Sequence, residues 1–205
     1  MTGSRGPYRP GIETRRQLVE NAIRVFGEHG FRGGSLRMIA ESIGAPASQI
    51  VNHFGNKDGL LTAVLDHWDA QQVDAGSQRG LAYVNTLRDR MAYSRSNPSW
   101  VEFFLTLGSE ATASGHPAHQ YFIDRYAHIT DRLQEEILSA AANDEIAPLS
   151  EAQARVEAQQ LSAMMDGLQL QWLLDRELDL IASFDHYLDA VIERWMRPAS
   201  PETTH

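Results

Sequence analysis

Residues 35–61 read SLRMIAESIGAPASQIVNHFGNKDGLL, and two very short helical patterns meet there at Gly44. In the first, Leu36, Ile39, Ala40 and Ile43 recur at helical spacing behind Ser35, a residue type that caps helix N-termini well. Gly44 stands where a positive φ would end that helix. Pro46 falls near the first turn of a second helix, where a missing N–H costs nothing. Ile50, Val51 and Phe54 are expected on the inner face of that helix, leaving Ser48, Gln49, Asn52 and His53 outward. Neither helix is long enough to be stable alone, so tertiary packing must hold both. This is the pattern of a helix-turn-helix, whose second helix lies in the major groove. Gln and Asn suit that task, because each bonds an adenine edge through two hydrogen bonds. The same pattern fits a plain helical hairpin in an ordinary bundle, and the neighbouring segments favour the DNA reading.

At 205 residues the chain holds one large domain or two small ones, with enough apolar material for a real core. No apolar run approaches the ~20 residues of a transmembrane helix, and the N-terminus lacks the apolar region of a secretory signal. The chain contains no cysteine, which excludes disulfides, thiolate zinc sites and cysteine catalysis. A cytoplasmic protein is expected. The net charge of -9 argues at first against nucleic acid, but its distribution matters more. Residues 1–59 carry eight Lys or Arg against five Asp or Glu, so a mildly basic head precedes a strongly acidic body.

Residues 1–11, rich in Gly, Pro and Arg, read either as a flexible arm that sets an Arg on DNA or as a tail without a role. Thr14 through Gln17 reads as a capping box opening a helix. Leu18, Ala22, Val25 and Phe26 form its apolar stripe, and Gly30 is expected to end it. After the second short helix, Gly55-Asn56 makes a turn and Asn56 caps the next helix. Lys57, the only lysine of the chain, falls in the first turn of that helix, where a cation and exposed N–H groups together favour a phosphate. The helix is expected to run to about Asp74, with Leu61, Val64, Leu65 and Trp68 as its buried stripe. Residues 75–80 read as a break.

Together, the Phe26–Gly30–Phe31 helix end, SLRMIAESIG and HFGNKDGLL make residues 12–68 resemble the DNA-binding head of the tetracycline-repressor (TetR) family. The resemblance implies an all-α protein. Its head, residues 12–58, binds DNA, and its body, residues 59–197, binds a small effector and dimerises through the last two helices. Three positions depart from the family pattern: Val51 replaces a Tyr that touches phosphate, Gly34 a frequent Thr and Met38 a common Asp.

Beyond the head the pattern is helical throughout, giving about nine helices in all. Ser99 through Glu102 and Ser150 through Gln153 read as further capping boxes, and Gly115 and Pro117 mark a loop. From Leu161 to Leu174 the apolar residues point in every direction, as in a helix buried on all sides. A dimer face is expected there, at Leu161, Met165, Leu168 and Trp172, beside Phe184, Leu188, Val191, Ile192 and Trp195 on a last helix. Trp68, Met91, Trp100, Phe103, Phe104, Tyr126, Met164, Met165 and Gln169 describe equally a filled core and an apolar ligand pocket. The resemblance favours the pocket.

No Gly-rich phosphate loop, GxSxG or HExxH occurs, and His116, His119 and Asp124 lack an evident fourth ligand, so neither catalysis, a metal nor a cofactor is expected. The reading is a dimeric transcriptional repressor released from an inverted-repeat operator by a small apolar or aromatic effector. A ligand moving the helix after Lys57 would separate the two heads. Gln49 and Asn52 would read bases with Ser48 and His53 beside them, while Arg37 and Lys57 hold the backbone. The alternatives are an all-α ligand-binding protein or enzyme with a chance helix-turn-helix, and a DNA-binding repressor without effector.

Overall fold

The computed structural model describes residues 9–70 and 77–197. The expected arm up to residue 8, the course of the chain over 71–76, the side chain of Trp68 and the tail from 198 lie outside the described residues. Among those described there are nine α-helices: α1 (Arg9–Gly33), α2 (Leu36–Ser42), α3 (Ala47–Phe54), α4 (Lys57–Ala70), α5 (Gly80–Ser96), α6 (Pro98–Glu110), α7 (His119–Ala142), α8 (Glu151–Leu174) and α9 (Leu180–Met196). Their packing defines two compact units. The first runs through Gln72 and takes in Glu102–His119; the second comprises Val73–Val101 and the chain from Gln120 onward.

In the first unit α1 packs on α2 and α4, and α3 packs on α2 and α4. Leu18, Ala22, Val25 and Phe26 bury the expected stripe of α1. The helix begins at Arg9, however, not at a Thr14 cap. Pro10 is tolerated in a first turn, and Arg16 bridges Glu13 and Glu20 at helical spacing, 2.6 and 2.5 Å away. Gln17 donates its amide to Glu13 instead of closing a capping box. Gly30, at φ 70° and ψ 168°, breaks the helix as read, and a short further helical stretch follows as far as Gly33. A Cβ at Gly30 would lie 2.5 Å from Oε1 of Glu110, whose Oε2 accepts the N–H of Phe31 at 2.6 Å. A carboxylate thus occupies the space a side chain would need.

α2 starts as read, with Ser35 Oγ accepting the N–H of Met38 at 3.2 Å. Gly44 has φ +66°. α3 turns Ile50 fully inward, but Val51 is half exposed, a correction to its expected inner placement. Val51 lies about 100° round the helix from Ile50, at the margin of the inner face, where packing leaves half of it open. Asn56 Oδ1 accepts the N–H of Gly59 at 2.8 Å and caps α4.

In the second unit α5 and α8 both pack on α9. The N-terminus of α5 is satisfied by two carboxylates. Gly80 N–H donates to Glu136 and Leu81 N–H to Glu145, each at 2.7 Å. Glu136 is buried and is paired with Arg132 at 2.8 Å and Arg79 at 3.5 Å. Ser99 does not open α6. Pro98 is its first residue and the carbonyl of Asn97 accepts the N–H groups of Trp100 and Val101, while the Asn97 amide closes α5 on Tyr93 O. The capping box at Ser150 and Gln153 forms as read.

The expected dimer residues need correction. Leu161, Leu168, Trp172, Phe184, Leu188, Val191 and Trp195 are buried within the chain itself, and only Met165 and Ile192 are half exposed. The inner faces of α8 and α9 fill their own unit. Apolar surface remains on the opposite side of α8, at Val156, Ala163, Leu170 and Leu174, the last 81% exposed. No helix of the described residues is long and apolar enough to cross a membrane.

Candidate functional site

The outward face of α3 is a compact polar surface. Ser48, Asn52 and His53 are exposed and Gln49 is half buried. The helix is held from behind by Ile50 and by Phe54, over whose ring the Arg15 guanidinium of α1 lies at 5.0 Å. A second tie joins the preceding helix, where Ser42 Oγ meets Asn21 Oδ1 at 3.0 Å. These contacts leave the polar face of α3 unencumbered on a fixed support. Arg37, on α2, is exposed and paired with Glu41 at 2.7 Å.

Lys57 is placed less simply. Its ammonium sits 4.5 Å from the centre of the Phe31 ring and 3.4 Å from Arg32 O, turned toward the end of α1. Burial pulls it below the ordinary lysine range, and Glu110 and Asp58 draw it back up. The same Glu110 faces His116, whose Nε2 lies 3.8 Å from Oε2 and whose ring meets Phe31 edge-on at 5.1 Å. His116 Nδ1 accepts the N–H of Ala118 at 3.1 Å, which places the proton of the neutral ring on Nε2. Burial lowers its pKa; Glu110 and Asp58 oppose this and Arg32 adds to it. Among the described residues no group of three or more His, Asp, Glu or Cys is arranged to hold a metal ion.

The nine residues read as a pocket divide between the two units. Phe103 and Phe104 are buried in the first, where Phe103 stacks on Phe26 with ring centres 6.5 Å apart. Trp68 belongs to that unit as well. Met91, Trp100, Tyr126, Met164, Met165 and Gln169 belong to the second. There α8 carries two polar side chains about one turn apart, Gln169 buried and Asp166 half exposed beside the exposed Tyr126. Gln169 donates to Ser94 Oγ at 2.9 Å and to the Met91 sulfur at 3.6 Å, all three side chains being buried. Asp166 accepts the Tyr126 hydroxyl at 2.6 Å. Burial pushes the Asp166 carboxyl up, against the pull of Tyr126 and Arg125, and pushes the Tyr126 phenol far above its usual range. Asp166 and Ser94 were missed in the sequence; the available signal was one carboxylate inside the apolar run MMDGLQL.

A helix-turn-helix packed on α1 and α4, followed by a helical unit with polar groups in an apolar interior, defines the class of one-component DNA-binding regulators. The model of the bacterial regulatory proteins of the tetR family matches residues 18–64, and that of the BetI-type transcriptional repressor C-terminal region matches residues 84–193. The chain belongs to the TetR family. It is 27% identical to the HTH-type transcriptional regulator BetI of Burkholderia ambifaria, over 78% of this chain and 82% of that protein. It is 32% identical to the HTH-type transcriptional repressor AcnR of Corynebacterium diphtheriae over 38% of this chain, spanning only 40% of AcnR's length. A transcriptional regulator of Saccharomonospora viridis solved in complex with choline has the same fold, with TM-score 0.70 at 20% identity over 89% of this chain and 96% of the other.

The buried His116 gives the first unit a sign of pH dependence that can be measured. Its pKa is lower when folded than unfolded, so the unfolded chain binds more protons near pH 6 and stability rises with pH there. The contribution is complete above about pH 6.5, the unfolded value, and is lost as pH falls toward the folded pKa. Thermal melts between pH 7.5 and 5.5 should show a falling Tm, and His116→Gln should flatten the fall. An unchanged slope in that variant contradicts the assignment.

Proposed function

We propose that the chain is a homodimeric transcriptional repressor that binds an inverted-repeat DNA operator through α3 and releases it when the second unit takes up a small effector. Family membership supports the class, and the exposed polar face of α3 on its buried Ile50 is the observation that carries the DNA reading. The first unit is then the DNA-binding part and the second the effector-binding and dimerising part. It acts in the cytoplasm, where the operator is.

Gln49 and Asn52 read base edges in the major groove, with Ser48 and His53 beside them. Arg37 and Lys57 contact the backbone. To do so Lys57 leaves the Phe31 ring, which its four-carbon stem allows, and Arg37 exchanges Glu41 for a phosphate. Two copies meet through the outer face of α8. Val156, Ala163 and Leu170 recur every seven residues, with Gln160, Gly167 and Leu174 four residues after each, which is the seam of a coiled coil. Gly167, whose Cβ position meets nothing within 4 Å, lets the two helices approach closely. A two-fold axis across this seam gives a dimer with two copies of α3, as an inverted-repeat operator requires.

The effector lodges in the second unit, where Asp166, Gln169, Ser94 and Tyr126 offer hydrogen bonds among Met91, Met164 and Met165. This argues for an apolar or aromatic body that also carries a hydrogen-bonding head, a refinement of the apolar or aromatic effector expected from sequence. The effector must prefer the DNA-free state, since equal affinity for both states shifts nothing.

Two measurements check these roles. In binding titrations against a selected operator, Gln49→Ala should cost roughly 1–3 kcal/mol and relax preference at one base pair, whereas Lys57→Ala should weaken all sequences alike and flatten the salt dependence. The roles are wrong if Lys57→Ala alters base preference while Gln49→Ala leaves it intact. For the effector, a molecule found by operator release is titrated with and without operator. Coupling of about 1–3 kcal/mol predicts that DNA weakens its binding roughly 5–150-fold, and that Gln169→Leu blunts release while sparing operator affinity. Equal effector affinities in the two titrations refute the effector reading. No retention on duplex DNA at low salt refutes the DNA reading.

A further inference from the structure

We infer that Val51 is a base-reading residue, and that its partner is the C5-methyl group of a thymine in each half of the operator. The inference rests on the DNA-binding reading of α3. Val51 is 50% exposed, and it is the one large apolar side chain of the first unit that the described residues leave so open. The others that are comparably exposed, such as Ile123, Leu170 and Leu174, all lie in the second unit. It stands at the edge of the outward face of α3, about 100° round from the buried Ile50, with Ser48 one turn before it and Asn52 directly after it, both exposed.

The chemistry of the groove narrows what such a side chain can meet. A valine neither donates nor accepts a hydrogen bond, so it adds nothing at a phosphate. Against the polar edge of a guanine, adenine or cytosine it would strip water from a donor or acceptor without replacing the bond, which is costly. The thymine methyl is the one apolar group that the major groove displays. The branched Cβ holds Val51 in few rotamers, so the contact is fixed in position and not merely permitted. Ser48, Gln49 and Asn52 then supply hydrogen bonds while Val51 supplies shape and apolar contact. Discrimination arises at a base that no polar residue of the helix need touch.

The test is a cycle between protein and DNA. The preferred operator is selected from random duplexes, and each thymine is replaced in turn by deoxyuridine, which removes only the methyl. Affinities of the wild type and of Val51→Ala are measured by fluorescence anisotropy. At one thymine per half-site the wild type should lose about fourfold, the effect of exposing one buried methyl. The alanine variant, which loses the contact in both half-sites, should bind the thymine operator weaker by about 16-fold and be indifferent to the replacement there. Melting temperatures establish that the variant is folded; if it is not, Val51→Ser carries the same cycle. Equal sensitivity of wild type and variant at every thymine overturns the inference and leaves the DNA reading standing. A wild type that prefers no sequence overturns both.

Discussion

The carboxylate of Glu110 is the constraint on which the first unit depends. It accepts the Phe31 N–H in the space left by Gly30, faces the Lys57 ammonium and lies 3.8 Å from His116. Four chain segments therefore meet at one side chain: the bent end of α1, the start of α4, the end of α6 and the loop after it. α2 and α3 have seven and eight residues and cannot persist as isolated helices. Their orientation comes from α1 and α4, and those two are referred to each other at this carboxylate. Phe31, whose N–H it accepts, packs on Phe26, and Phe26 packs on Phe103, with the Phe26 and Phe31 ring centres 5.4 Å apart. A charged hydrogen bond within an aromatic cluster holds a position more narrowly than apolar packing alone.

The second unit uses the same device at the start of α5. Gly80, like Gly30, has a positive φ and a carboxylate where its Cβ would be, here Glu145, which takes the adjacent Leu81 N–H while Glu136 takes that of Gly80 itself. Fixed ends leave the interior of this unit free to carry polar groups. Gln169 and Asp166 project from one helix to two different partners, α5 and α7. The buried bonds of Gln169 to Ser94 and Met91 are satisfied as they stand, and an effector that replaces one must offer an equivalent. That requirement selects among ligands more sharply than the methionines around it, which adapt to many shapes.

Local signals were legible wherever one residue acts through its own backbone neighbourhood. Ser35, Gly44, Asn56 and Ser150 all perform the roles their types and spacings indicated. The failures came where the same local signal competed with something stronger nearby. Thr14 lies inside a helix that already begins at Arg9, and Ser99 follows an Asn97–Pro98 junction that already forms a helix start. Val51 and the interior residues of α8 and α9 show a second limit. Hydrophobicity indicates that a side chain avoids water, but not which of two apolar sides of a helix finds a partner in its own unit. Leu168 and Leu170 are both leucines of α8, and only the first is buried. The carboxylates at Glu110, Glu136 and Asp166 were invisible for another reason. Each acts on a residue 40 to 79 positions away, and no periodicity encodes such pairs.

The account stands on α3 as a helix that enters the major groove, with its support fixed through α1, α4 and Glu110. Methylation interference on the selected operator tests this most directly, because a methyl on guanine N7 blocks the major groove alone. The account predicts two clusters of interfering guanines centred 10–10.5 base pairs apart, or a multiple of that spacing, on one face of the duplex. A single cluster, or binding indifferent to N7 methylation throughout, would contradict it.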